Sequence, residues 1–474
     1  MNSLLRYGLL SVLSVLMALL LSCGGGGGGG GGVAAFGIAG NANRASPASA
    51  AGSPAVGTDT SSTGTTGTGS QGLGGIASNP DGSTSTAAGG DEGSGIGSGG
   101  TGISTAAGGD DGSGVGSGGT GISTADATGV GAVDGAGSII VNGLRYATDF
   151  TVANIQDAAG LQLGMSVKVT GPVDADFTSG IARRLDSAAD VRGPLTSVDL
   201  KQGSFVVLGT TVTTDDATVW ADAPGLAALV PGQTLQLWGL PGAPGVIRAT
   251  RVEQRDPSTL ILTGTVQELD PSSHTFTLGG LVIDYGTAIL GGSLDGRPLA
   301  EGTLVRVRAN ASGSSGLVAT LVQWWYPVPT ADGTTAQIAG LVTGYVSPGS
   351  FRMLGVPVDA SSATVTGGPV GSIGNGVKLE VGGVMSNGIL RATKLKIRNV
   401  PGTGGPASFN LIGTVGAFKS PADFSVRGQP VNASGPSVKF PNGTASDLGN
   451  GVKVNVHGAK VVNGVLMASE VEFE

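Results

Sequence analysis

The chain has 474 residues, 89 of them glycine, with 12% charged and 4% aromatic. Its 39% of apolar residues can build cores, but at this length and glycine content they come in several small parcels. One cysteine excludes an internal disulfide, two histidines leave little for metal clusters or triads, and a net charge of −8 argues against nucleic acid.

The N-terminus carries Arg6 and then an apolar run from Leu9 to Leu21, too short and too abruptly ended for a membrane span. It fits a secretory signal peptide over residues 1–22. The run closes on Leu20-Leu21-Ser22-Cys23-Gly24, which resembles the lipobox of bacterial lipoproteins. That resemblance implies lipidation of Cys23, with several acyl chains giving stable anchoring. Gly24 stands where an Asp would imply inner-membrane retention, so the resemblance implies an outer membrane lipoprotein facing the periplasm or the exterior. A plain secretory peptide with an incidental cysteine is the competing reading.

Residues 23–118 read as a disordered Gly/Ser/Thr-rich tether opening on nine consecutive glycines, Gly24 to Gly32. Within it the stretch Ser85 to Ile103 recurs almost unchanged at Ser104 to Ile122. The acidic pairs Asp91-Glu92 and Asp110-Asp111 lack the regular nonapeptide of calcium-binding β-rolls and read as part of a solvated spacer. Such a tether reaches roughly 50–60 Å, enough to hold folded modules clear of a lipid surface.

The remainder repeats itself. A pattern apolar-x-x-Gly-x-x-apolar-x-apolar-x-Gly/Ala has its glycine at Gly164, Gly232, Gly302, Gly376 and Gly451, at intervals of 68, 70, 74 and 75 residues. The apolar pair after each glycine is spaced for one face of a strand, and the residue between (Lys168, Gln236, Arg306, Glu380, Asn455) faces out. Before it, each unit carries a two-residue hairpin turn whose second residue is Gly143, Gly209, Gly280, Gly355 or Gly428. The first turn position is less regular: Leu208 and Leu354 are poorly suited to type I′, and a type II-like turn is the alternative there. Later units open on Gly-x-apolar at Gly193, Gly264, Gly340 and Gly413, and three close on a further motif beginning at Gly245, Gly388 and Gly464.

About five short strands per unit, without a useful amphipathic helix, favour small closed barrels, because closure removes exposed edges. The expected architecture is all-β: five tandem small barrels of oligonucleotide/oligosaccharide-binding (OB) type over 119–190, 191–257, 258–329, 330–401 and 402–474, each burying its own core. The stretches Gly137 to Tyr146, Val191 to Asp199 and Ile247 to Glu253 resemble an uncharacterised bacterial domain family found in tandem in exported proteins and lipoproteins. The resemblance is more specific in the first two units than in the later three. It brings no activity and no catalytic residues.

Chemistry is sparse. His274 sits in a turn and His457 at an outward strand position; Asp215-Asp216 and Asp284 read as turn-capping groups. No nucleophile elbow and no phosphate-binding loop is present in the sequence. Trp324-Trp325-Tyr326 is the one aromatic cluster, either a packed strand end or a stacking platform; Trp220 and Trp238 are core or rim. The expected function is a non-enzymatic, lipid-anchored envelope scaffold without cofactor or metal, touching the membrane through its lipid and an envelope protein or polysaccharide through its modules. The alternative is a glycan-binding surface module using those aromatics.

Overall fold

Apolar residues two apart, separated by Gly-containing turns, give strands here and nowhere an α-helix among the described residues. The computed structural model describes residues 122–291, 298–312, 316–399 and 409–474. The segments read from sequence as a signal peptide (1–22) and a tether (23–118), with Cys23 and both acidic pairs, lie outside the described residues.

Repeat 2 sets the pattern. Val191–Asp199 pairs with Ser204–Val207, which turns into Thr210–Thr213. Thr210–Thr213 lies parallel to Val246–Gln254, which pairs with Thr234–Pro241, and that strand returns to Val191–Asp199. The ladder therefore closes on itself. Repeats 3, 4 and 5 close in the same order. Repeat 1 does so with its last strand split into Ser179–Ile181 and Arg184–Ser187. A short extra strand runs parallel to the last strand in the first four repeats, as Val152–Ile155, Val219–Trp220, Ile289–Leu290 and Thr364–Thr366.

The motif's apolar pair fills each ring: Val167 and Val169, Leu235 and Leu237, Val305 and Val307, Leu379 and Val381, Val454 and Val456 are all buried. The glycine ahead of it turns the chain with φ between +79° and +94° in every repeat.

All five hairpins have positive φ at both turn positions, the type I′ geometry, including Leu208 (φ 49°) and Leu354 (φ 50°). The type II-like alternative is not adopted. The Leu208 side chain folds over Gly193, where a Cβ would sit 2.6 Å from its Cγ, and Leu354 covers Gly340 likewise. The opening Gly-x-apolar cue thus makes room for the turn's side chain, and that packing offsets the strained leucine backbone.

The rings are not separate barrels with private cores. The first strand of repeat 1, Ile122–Ala136, runs parallel to the first strands of repeats 4 and 5. The first strands of repeats 2 and 3 pair antiparallel at Val191↔Leu262. Buried apolar side chains form three clusters: repeats 1 and 5 with Val219, Trp238 and Ile261; repeats 2 and 3; and repeat 4 with Trp325, Tyr326 and Val328. A ring of about 60 residues buries too little surface alone, so outward faces are spent on neighbours. Gln236, Arg306 and Glu380 point out of their own rings yet are 0%, 2% and 7% exposed.

Candidate functional site

The outward polar positions meet where repeats meet. Asp190, in the link between repeats 1 and 2, is fully buried and accepts four hydrogen bonds. Ser166 Oγ and Trp325 Nε1 donate at 2.6 Å, Arg306 Nη2 at 2.7 Å and the Gly239 N–H at 2.8 Å. The Arg306 guanidinium lies 4.9 Å from the centre of the Tyr326 ring. The Tyr326 hydroxyl donates to the Ser166 carbonyl at 3.1 Å and accepts from the Ala188 N–H at 2.9 Å. Burial pushes its pKa above the ordinary phenol value. One carboxylate thus ties three repeats together.

Two more junctions follow this plan. Asp157 of repeat 1 pairs with Arg192 of repeat 2 at 2.9 Å and Arg308 of repeat 3 at 2.7 Å. Arg251 of repeat 2 pairs with Glu253 at 2.6 Å and donates to the Leu163 carbonyl of repeat 1 at 3.0 Å. Burial lowers the pKa of Arg251, with Glu253 opposing.

These junctions decide the fate of the aromatics. Trp220 (8%), Trp238 (0%), Trp325 (2%) and Tyr326 (6%) are interior, and no open stacking platform of five rings exists. Strict alternation would send Trp325 and Tyr326 to opposite faces. Instead the strand ends at Trp324, Tyr326 takes φ 27°, and both rings turn inward, their centroids 4.7 Å apart. Trp324 alone stays half-buried.

Trp324 lines a cleft of about 390 Å³ between repeats 1 and 3. Across it lies a sheet face on which Asn154, Asp186 and Lys168 stand side by side in register on three strands. Arg184 grips Asp186 with Nε at 2.8 Å and Nη2 at 2.7 Å, and Asn154 Nδ2 donates to the same carboxylate at 3.1 Å. Of these, Lys168 was legible as an outward polar residue. Asn154, Arg184 and Asp186 were not, because only long-range pairing aligns them.

The equivalent face of repeat 4, with Thr364, Thr366, Lys394, Lys396 and Glu380, opens on a cleft of about 530 Å³. Phe177 of repeat 1 faces it, its ring 5.5 Å from Lys394 Nζ. In repeat 5 that face carries Lys439, Glu470 and His457 beside an open cleft of about 320 Å³.

His274 stands edge-on to Tyr285 at 5.7 Å in its turn, far in sequence and repeat from His457. Asp215 Oδ1 accepts from the Ala217 N–H and Asp284 Oδ1 from the Gly286 N–H, both at 2.9 Å, the capping role their positions suggest. No cluster of three or more metal-ligating side chains occurs among the described residues.

No curated protein matches the chain. Among solved structures it is similar to "drosophila Unr CSD456" at 15% identity, covering 45% of this chain and 100% of that one with a TM-score of 0.12, too low to carry an argument. A domain family of unknown function matches residues 192–253, 263–323, 339–396 and 412–472, about half of the chain. Those are repeats 2 to 5. The stretch Gly137 to Tyr146, in sequence the more specific part of the resemblance, falls outside the match although repeat 1 closes the same ring. Through those four copies the chain belongs to the family described as Domain of unknown function (DUF5666).

Proposed function

We propose that the protein is a non-enzymatic scaffold of the bacterial cell envelope, exported by its signal peptide and anchored through Cys23 in the outer membrane. Residues 23–118 act as the tether. Five rings, each an OB-type barrel in strand number and in the pairing order first–second–third–fifth–fourth–first, present one continuous interaction surface to an envelope protein or polysaccharide.

The observation that carries this reading is the use made of buried charge. Asp190, Arg306, Arg251, Glu253 and Glu380 are all under 9% exposed. Asp190 with Arg306, and Arg251 with the Leu163 carbonyl, bridge from one repeat to another. Such contacts fix the geometry of neighbouring repeats, which suits a protein whose task is to hold surfaces in register.

Membrane fractionation of cells making the full chain tests it. The wild type is expected with the membrane and Cys23→Ala in the soluble fraction; a Cys23→Ala chain that still partitions wholly with membranes overturns the anchor. Cross-linking of the anchored chain is expected to capture a defined envelope component, and the capture is expected to weaken in Cys23→Ala cells.

A further inference from the structure

The cleft between repeats 1 and 3 has two unlike walls. On one, Trp324 offers a half-buried aromatic face, continued by Gln323 and Pro327. On the other, Asn154, Asp186 and Lys168 form a polar row, with Arg184 and Gln156 beside it. We propose that this cleft is a carbohydrate-binding site that stacks a neutral pyranose ring on Trp324 and hydrogen-bonds its hydroxyls to the Asn154–Asp186–Lys168 row.

The chemistry of the lining selects the ligand class. A pyranose has an apolar C–H face, which suits an indole, and a rim of hydroxyls, each both donor and acceptor. The facing row mixes donors (Lys168, Arg184) with an acceptor (Asp186) and groups that are both (Asn154, Gln156, Gln323). A phosphate would find the Asp186 carboxylate in its way, and an apolar ligand would take this polar row out of water without giving it anything in exchange. The buried Nε–H of Arg306, on the same cleft, finds no acceptor among the described residues.

The site is also preformed. Arg184 and Asn154 fix the Asp186 carboxylate, and the Asp190 hub clamps Arg306 and Trp325 beside the Trp324 wall. Little ordering is left for binding, which favours affinity for a small ligand. At about 390 Å³ the cleft falls in the range of small-molecule sites, ~300–1,000 Å³. The repeat 4 cleft has the same construction, a polar strand row facing the half-buried Phe177. This inference deepens the polysaccharide arm of the scaffold reading, but sugar binding by the purified chain needs neither Cys23 nor the anchor, so its failure and that of the fractionation test are distinguishable.

The test uses the full chain in detergent with maltotriose, cellotriose and chitotriose, followed by calorimetry and tryptophan emission. Trp220, Trp238 and Trp325 are interior, so a sugar-dependent change in emission and in acrylamide quenching reports Trp324. At least one trisaccharide is expected to bind saturably. Trp324→Ala is expected to weaken it about tenfold or more, the equivalent of 1.4 kcal/mol, and Asn154→Ala several-fold, with the melting temperature kept. Should Trp324→Ala fail to fold, Asn154→Ala on the opposite wall still decides by calorimetry. The proposal is overturned if none of the three sugars binds at millimolar concentration, if binding is unchanged in the folded variants, or if it is lost in Phe177→Ala instead.

Discussion

The guanidinium of Arg306 lies 2.7 Å from the carboxylate of Asp190, with side chains 2% and 0% exposed. Arg306 belongs to a strand of repeat 3, and Asp190 to the link between repeats 1 and 2. Both would be surface residues of an isolated ring. Their pairing is what packing one ring against another produces: the desolvated charge needs a partner, and each repeat supplies the other's.

Asp190→Ala removes that partner and leaves Arg306 charged in the interior. Loss of one member of a buried pair costs about 3–5 kcal/mol, and Ser166, Trp325 and Gly239 lose their acceptor as well. Urea unfolding is expected to show a fall of this order. Asp190→Asn combined with Arg306→Met is expected to recover most of it, because no charge is then stranded. A double variant as unstable as Asp190→Ala would contradict the account.

Two glycines of repeat 4 separate backbone conformation from steric fit. Gly376 has φ 82° with nothing within 4 Å of an added methyl, so Gly376→Ala meets backbone strain alone, about 1 kcal/mol or somewhat more. Gly383 has an ordinary φ, but a Cβ would fall 2.0 Å from the Arg391 carbonyl, at a bulge in the hairpin. Gly383→Ala is expected to cost more, about 1–3 kcal/mol. The bulge recurs at Gly239, Ala309 and Gly458. Ala309 marks the place in this series where the fold accommodates a methyl, and because that methyl is fully buried, Ala309→Gly is expected to destabilise by about 1 kcal/mol in thermal denaturation.

The hairpin turns make a related prediction. Leu354→Gly relieves the left-handed leucine but removes the side chain lying over Gly340. These effects oppose, and the melting temperature is expected to shift little. Gly340→Ala forces a methyl to 3.0 Å from Leu354 Cδ2 and is expected to destabilise by about 1 kcal/mol or more. A larger loss in Leu354→Gly than in Gly340→Ala would reverse this ranking.

Charge at the junction of repeats 1 and 4 gives a pH dependence. Burial pushes the Asp134 carboxyl up to about 6; Arg398 opposes this and Glu380 adds to it. The folded state therefore holds this proton more tightly than the unfolded chain, whose value is 3.8. The sign follows: Asp134 lowers stability above pH 6, and that cost disappears as pH falls from about 6 to about 4. Asp157 runs the other way, because Arg308 and Arg192 outweigh its burial and depress its pKa, so its contribution is lost at lower pH. Asp134→Asn is expected to raise the melting temperature at neutral pH and to flatten its rise between pH 6 and 4. An unchanged slope in that window would contradict it.

What lies inside each ring was legible from the chain alone. The Gly-x-x-apolar-x-apolar spacing picks out Leu235 and Leu237 or Leu379 and Val381 as inward-facing, and the turn glycines mark the hairpins, because side-chain alternation and positive φ are local properties. What lies outside each ring was not. Lys168, Gln236, Arg306 and Glu380 look alike in sequence as polar outward residues, yet Lys168 stays half-buried on a cleft wall while the other three are buried at junctions. Trp325 and Tyr326, candidates for a surface platform, became part of a core. Only the tertiary structure decides this, because which repeat covers which face depends on contacts between residues more than a hundred positions apart, such as Arg306 with Asp190, that no local pattern encodes.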